Sequence, residues 1–298
     1  MLNKEQVKYT QLYSKLKQEL QLQGKASATL KLYARSFYKA AKYFQRCPDN
    51  LTAEELKGYF ADLISRHAWS TVKIERCGLQ FFYKHVLQKE WEWVEILKPP
   101  RVKKLPDILS VNEVHTLFNL IQKQRYRACL FAIYSMGLRI SEGLALQIGD
   151  IDKERMLVHI RNGKGHKDRF VPLPIITRNV LANYWKTHRN PVLLFPSMQG
   201  GYKRAGSTSD SMNCAGLRSA LKSVLREAKI FRQITTHSLR HSYATHLVEL
   251  GVNLSVIQKY LGHKSPTTTV VYTHLSKSAH DQSVLLINRH MLQFFSAK

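Results

Sequence analysis

Between positions 237 and 272 the chain carries two histidines, an arginine and a tyrosine whose side chains and order suit the cutting of a phosphodiester. His237 and Arg240 stand three residues apart in His-Ser-Leu-Arg, His263 follows in Leu-Gly-His, and Tyr272 follows in Val-Tyr-Thr-His. On a helix the i, i+3 spacing puts the first two side chains on one face, where both can reach the same anion. A second helix, from about Asn253 to Leu261, is expected to stop at Gly262 and leave His263 just beyond its end. A third is expected to start after Pro266 and to carry Tyr272. Each feature alone has a plain explanation: an His-x-x-Arg pair usually faces solvent or an acid, and a tyrosine closing an apolar run usually packs half-buried. Those explanations do not account for all four arriving within 36 residues (272 − 237 + 1) of one strongly basic chain.

Two further cations lie upstream. Gly137-Leu138-Arg139-Ile140-Ser141-Glu142 reads as a helix entrance flanked by apolar residues. The plain reading is an Arg139–Glu142 pair that tidies the helix start; the functional one sets Arg139 in a cleft with Glu142 holding its guanidinium. Lys164 lies in Arg161-Asn162-Gly163-Lys164-Gly165-His166-Lys167-Asp168, turn chemistry between the β-like runs Met156–Ile160 and Arg169–Leu173. A β-hairpin with Lys164 on a glycine-flanked tip is expected. Most lysines on such tips are only solvated, but glycines on both sides let the backbone approach a ligand.

The elements that must position these groups divide the chain in two. Residues 1–97 show apolar residues at three- and four-residue intervals: Tyr9–Leu22, Ala26–Phe44, a helix opened by Thr52-Ala53-Glu54-Glu55, and a fourth from about Ser70 to Leu87. Lys31, Arg35, Lys39, Lys42, Lys73 and Arg76 are expected on the faces that the apolar stripe leaves free, a surface suited to a phosphate backbone. At 98–106 three prolines bracket Arg101, Lys103 and Lys104, which reads as a stiff basic linker able to lie along DNA. Residues 107–298 form the second domain, opened by the capping box Ser110-Val111-Asn112-Glu113. Helices are expected over Val114–Ile121, Tyr126–Met136, Thr177–Thr187 and about Asn213–Lys229, with a polar loop at Gln199–Ser211. An amphipathic helix from Ser283 to Phe295 closes the chain, either packing at home or reaching a neighbouring subunit. The fold class is therefore mainly α with a small β-sheet in the C-terminal domain.

Composition narrows the partners. The 46 Lys+Arg against 21 Asp+Glu give +25 over 298 residues, an excess that strains a compact chain unless a polyanion takes it up. Nucleic acid is the leading partner and an anionic membrane surface the second. No apolar run approaches a membrane span, and the first residues lack the apolar core of a signal peptide. Cys47, Cys77, Cys129 and Cys214 are widely spread, without a CxxC pair, and read as reduced thiols of a cytoplasmic protein. Of the 13 histidines, none forms an HExxH or Cys/His pattern, and carboxylates do not cluster around His237, His241, His246, His263 or His274. No metal or other cofactor is expected.

Gly-Leu-Arg-Ile-Ser-Glu, Gly-Lys-Gly-His-Lys-Asp-Arg, His-Ser-Leu-Arg-His-Ser-Tyr-Ala-Thr-His, Leu-Gly-His and Val-Tyr-Thr-His together resemble the tyrosine recombinases, which include phage integrases, Xer-type resolution recombinases and integron integrases. The resemblance runs over the whole second domain, and the helical first domain with its basic linker is similar to the family's core-binding domain. It implies a site-specific recombinase that cuts and rejoins DNA through a 3′-phosphotyrosine. Arg139 and Arg240 would be the arginine pair, Lys164 the hairpin lysine, His237 and His263 the two histidines, and Tyr272 the nucleophile. The step of 73 positions from Lys164 to His237 (237 − 164) leaves no room for the extra helix of integron integrases, so the chain resembles the compact Xer-like and transposon-borne members. No amino-terminal arm-binding domain is expected. By the same resemblance the partner is a double-stranded recombination site, bound by four copies in a cyclic tetramer when two sites pair.

The chemistry of the residues agrees. Two guanidiniums can hold the non-bridging oxygens of a phosphodiester through paired charge-assisted hydrogen bonds, which a lysine lacking the planar fork does less well. Attack by Tyr272 would join the enzyme to one DNA end and store the bond energy there, making ATP unnecessary. A phenol must lose a proton and a 5′-oxygen must gain one; the resemblance names His237 as base, Lys164 as acid and His263 as a phosphate ligand. The competing readings are a metal-dependent nuclease, a DNA-binding protein without catalysis, and a type IB topoisomerase, which is expected to be monomeric and indifferent to paired sites.

Overall fold

The computed structural model describes residues 3–89, 91, 105–161, 168–263, 265 and 267–272. The chain divides into two compact units, Met1–Val102 and Lys103–Lys298.

The first unit is helical: α1 (Asn3–Leu22), α2 (Ser27–Phe44), α3 (Ala53–Arg66) and α4 (Trp69–Phe81). Leu16, Leu20, Phe37, Leu79 and Phe82 are fully buried at its centre. Helix α3 starts where Thr52 Oγ1 accepts from the Glu55 amide and Glu55 returns the contact to the Thr52 amide, a reciprocal cap that satisfies two orphan donors. Helices α2 and α4 cross so closely that a Cβ on Gly78 would come within 2.7 Å of Ser36. The fourth helix does not continue as an α-helix to Leu87. It widens into a π turn over Phe82–Val86, with the Leu87 amide bonded to the Phe82 carbonyl, and this wider turn lets the adjacent Phe82 and Tyr83 both point inward. Lys39 also departs from expectation. It is drawn off the free face into a 2.5 Å ion pair with the buried Glu75 of α4, because an uncompensated carboxylate there would carry a large desolvation cost. Lys73 is exposed and Arg76 partly exposed, while Arg101, Lys103 and Lys104 lie outside the described residues.

The second unit packs α5 (Val111–Leu120), α7 (Ile140–Leu144), α8 (Ile175–Trp185), α10 (Cys214–Glu227) and α11 (Thr236–Glu249) around or beside the buried α6 (Gln124–Ser135). The capping box at Ser110 and Glu113 forms. A three-stranded antiparallel sheet runs β1 (Ile151–Asp152), β2 (Leu157–Ile160), β3 (Arg169–Pro172), with Val158 opposite Val171 at the buried centre of the register. Strand β1, two residues long, was too short for any periodicity to announce. The loop expected at Gln199–Ser211 contains the short helix α9 (Gly201–Ala205). The expected hairpin tip at 162–167, with Lys164, lies outside the described residues, as does the expected terminal helix at 283–295.

Helix α11 anchors the start of this unit. Ser242 Oγ accepts from the Leu109 amide at 2.8 Å, and His246 Nε2 donates to the Leu109 carbonyl at 3.0 Å. Since a carbonyl only accepts, His246 carries its proton on Nε2, which leaves Nδ1 to accept from Tyr134 at 2.9 Å. Burial lowers the His246 pKa and favours this neutral tautomer. Beyond α11, α12 (Leu254–Leu261) runs from its cap Asn253 to Gly262, whose left-handed backbone (φ 62°) ends the helix as its sequence requires.

Candidate active site

Arg240 sits on the buried face of α11 and is fully inaccessible to solvent. A buried guanidinium must find acceptors, and it does so in the main chain: Nη1 donates to Gly137 O at 2.9 Å and Nη2 to Leu261 O at 2.5 Å, whereas Nε has no partner among the described residues. Burial first, then the charge of Arg139, lowers its pKa to about 10, so it stays a cation at neutral pH. Gly137 is required here: its φ is +61°, and a Cβ would come within 2.8 Å of both Tyr243 and Leu261.

Arg139 is the cap residue of α7. Glu142 Oε2 accepts from its amide at 2.8 Å and Oε1 from its Nη1 at 2.7 Å, while Nη2 reaches Gly262 O at 3.4 Å. The same carboxylate receives a second guanidinium: Arg169 of β3 gives Nη1 to Oε1 at 2.9 Å and Nη2 to Oε2 at 2.8 Å. Arg240 Nη1 lies 3.7 Å from it. Burial pushes the Glu142 carboxyl up, but the hydrogen bonds and charge of Arg169, joined by those of Arg139, outweigh it and hold the pKa at about 2.

Three consecutive carbonyls at the end of α12 each receive a different arginine. Arg169 Nε donates to Tyr260 O at 2.7 Å, Arg240 Nη2 to Leu261 O, and Arg139 Nη2 to Gly262 O. These are the orphan acceptors at the partially negative end of a helix. Sequence order alone did not show that they would align three cations.

Tyr272 lies in the turn after α13 (Thr267–Val270), with its amide bonded to Thr269 O. The expected helix through Tyr272 is thus only four residues long, consistent with the low helix propensity of three successive threonines. The phenol is 1% exposed and packs with Ala244, Ile257 and Leu261. Its hydroxyl lies 3.0 Å from His241 Nδ1, and its ring is stacked 6.1 Å from that of His263. Desolvation raises the phenol pKa against the opposing charges of Arg240 and Arg139.

His263, just past Gly262 as expected, shares a 2.9 Å hydrogen bond between Nδ1 and the Thr269 hydroxyl. Burial, with Arg240 and Arg139 next, lowers its pKa to about 3. His237 is exposed at the start of α11, its ring edge-on to that of His241 at 4.5 Å. Desolvation and then Arg240 lower its pKa also. The structure therefore gathers Arg139, His237, Arg240, His263 and Tyr272 from four separate segments, and it adds His241 and Arg169. Both were visible in the quoted motifs: His241 at i+4 from His237, and Arg169 closing the lysine motif.

A cleft of about 820 Å³ opens beside Arg139 and His237, bordered by α10. Arg218, Lys222 and Arg226 line it at i, i+4, i+8 on the exposed side of α10, a basic stripe that the sequence reading did not single out. Among the described residues no group of three or more His, Cys, Asp or Glu side chains could hold a metal ion, and no helix is long and apolar enough to cross a membrane.

Comparison with known proteins places this arrangement. The phage integrase family model matches residues 107–279, and the model for the phage integrase N-terminal SAM-like domain matches residues 12–93. Tyrosine recombinase XerA of Pyrococcus furiosus is 31% identical over 279 residues, which covers 90% of this chain and 92% of that protein. Tyrosine recombinase XerD of Oceanobacillus iheyensis is 34% identical over 227 residues, covering 72% of each. The fold is shared with the XerH site-specific recombinase in a post-cleavage complex with its palindromic difH substrate: TM-score 0.65, 24% identity, 86% of this chain and 78% of that one. With both family models matched in order and relatives aligned along most of its length, the chain belongs to the phage integrase family and is a site-specific tyrosine recombinase of the compact Xer-like type.

Proposed function

We propose that Tyr272 is the nucleophile of DNA strand exchange and that Arg139 and Arg240 clamp the scissile phosphate. The observation that carries this reading is the convergence of the phenol with two arginines whose orientations are already fixed by Glu142 and by the carbonyls of Gly137, Leu261 and Gly262. Preorganised donors of this kind stabilise charge that develops on phosphate oxygens without reorganising as it develops. The phenoxide oxygen forms a bond to phosphorus as the bond to the 5′-oxygen breaks, leaving a 3′-phosphotyrosine. Lys164 protonates the leaving oxygen, His263 contributes to the phosphate site, and a histidine of α11 takes the phenol proton.

Residues 1–97 act as the core-binding domain, joined by the basic linker 98–106 to the catalytic domain 107–298. Duplex DNA is held along Lys73 and Arg76, along Arg101, Lys103 and Lys104, and along the α10 stripe, chiefly through phosphate contacts. Recombination needs two cuts on each of two duplexes, so four copies assemble as a tetramer on paired sites in the cytoplasm.

The test begins by selecting a bound duplex from a random-sequence pool and nicking it beside the cleavage point so that the covalent complex is trapped. Tyr272→Phe should form none while binding the duplex with near wild-type affinity. Covalent product from Tyr272→Phe at the wild-type rate would exclude Tyr272 as the nucleophile.

A further inference from the structure

The resemblance points to His237 as the base for Tyr272, but the structure puts a different histidine at the phenol. His241 Nδ1 stands 3.0 Å from the Tyr272 hydroxyl. His237, one helical turn earlier, touches the His241 ring edge-on and faces solvent. Among the described residues His241 is the hydrogen-bond partner of that hydroxyl. We propose that His241 is the immediate proton acceptor for Tyr272 and that His237 stands between it and solvent. This rests on Tyr272 being the nucleophile.

The 3.0 Å separation suits either direction, since a phenol both donates and accepts; the proposed step uses the tautomer in which neutral His241 carries its own proton on Nε2 and accepts the phenol O–H at Nδ1. The groups facing His241 are His237 and Arg240 on its own helix, His263 beyond α12, and Tyr272. None is an acid, and nothing there favours an imidazolium before the reaction. Consistent with this, burial and then His237 and Arg240 lower the His241 pKa to about 4. The ring therefore stays neutral throughout the neutral range. In the step, the Tyr272 Oη–H proton moves to His241 Nδ1 as the oxygen bonds to phosphorus, and the bond to the 5′-oxygen breaks with its proton coming from Lys164. Charge is conserved: His241 becomes a cation as the phenol oxygen enters the phosphodiester. On reversal the imidazolium returns the proton to the departing Tyr272 oxygen, so one residue serves both directions.

The experiment compares His241→Asn, His241→Ala and wild type on the nicked duplex from pH 5 to 9, with duplex affinity measured alongside. Asn places an amide oxygen near the position of Nδ1, so it retains the hydrogen bond without the basicity. Both variants should cleave about 10²- to 10⁴-fold more slowly at pH 7, the usual worth of a positioned base. Their rates should then climb tenfold per pH unit where the wild-type rate is flat. A His241→Asn rate within a few-fold of wild type would reduce His241 to a positioning residue and overturn the proposal, as would a slowed variant whose pH profile is unchanged. An independent arm uses the free protein with ¹⁵N-labelled histidine. The His241 Nδ1 resonance should be that of an unprotonated, hydrogen-bonded nitrogen and should shift in Tyr272→Phe; no shift would overturn the proposal even if a His241 variant failed to fold. Covalent product from Tyr272→Phe would instead refute the nucleophile assignment itself.

Discussion

Replacing Glu142 with glutamine isolates what the buried carboxylate does for the two arginines that grip it. The side chain is 5% exposed and bonds to Arg139 and to both terminal nitrogens of Arg169. Its pKa is held at about 2 against an ordinary 4.5. At about 1.4 kcal/mol per unit, the carboxylate form is worth roughly 3 kcal/mol to the folded state. A neutral amide also leaves buried guanidiniums without a counter-charge and turns donors toward donors, so roughly 3 kcal/mol is a floor for Glu142→Gln. In a unit of 196 residues (298 − 103 + 1) this corresponds to a fall in melting temperature of about 6–12 °C. The pH dependence has a definite sign. Because the folded pKa lies below the unfolded one, the contribution is complete above pH 4.5 and is lost as pH falls toward 2. The gap between wild type and Glu142→Gln in urea unfolding should therefore shrink from about 3 kcal/mol at pH 7 to about 2 kcal/mol at pH 3.5. Arg169→Met should be strongly coupled to Glu142→Gln in a double-mutant cycle. A gap below about 1 kcal/mol at pH 7, or one that does not change with pH, would refute the assignment of Glu142 as their shared counter-ion.

Alanine at Gly137 should cost at least about 1–2 kcal/mol for its left-handed backbone, with the contacts to Tyr243 and Leu261 adding to it; cleavage should fall as the Gly137 carbonyl leaves Arg240, while duplex affinity changes little. Arg139→Ala or Arg240→Ala should slow cleavage about 10²- to 10³-fold, as loss of a transition-state donor does, measured as covalent complex on the nicked duplex. His241 and His263 have folded pKa values near 4 and 3, below an ordinary 6.5, so the stability they hold above pH 6.5 is lost as the solution is acidified toward those values; a urea midpoint that did not decline between pH 6.5 and 4.5 would contradict this. Duplex affinity should fall steeply and log-linearly with salt, and charge-neutral replacement of Arg218, Lys222 and Arg226 should flatten that slope; an unchanged slope would remove α10 from the interface.

The residues proposed to carry chemistry were legible because their types and spacing suit the reaction, and the helices that hold them announced themselves through periodicity and caps. Asn253 and Gly262 bounded α12 as read, and Glu142 held Arg139 as its i+3 position suggested. What was not legible depends on contacts made in space. Lys39 looked like any solvated lysine until α4 brought Glu75 beneath it. Arg169 looked like a strand residue because its partners are 27 and 91 positions away. His241 was one histidine among 13, and only the turn that carries Tyr272 brings the phenol to it.

The acceptors that orient the three arginines at the end of α12 are main-chain oxygens of successive residues, and this has a consequence for how the gene can vary. Amino-acid replacement at position 260 leaves its carbonyl in place, so that position should accept many residues in a saturation library. A single-codon insertion or deletion within α12 would rotate the helix end by about 100° and displace all three acceptors together. The segment should therefore drift in composition while its length stays fixed.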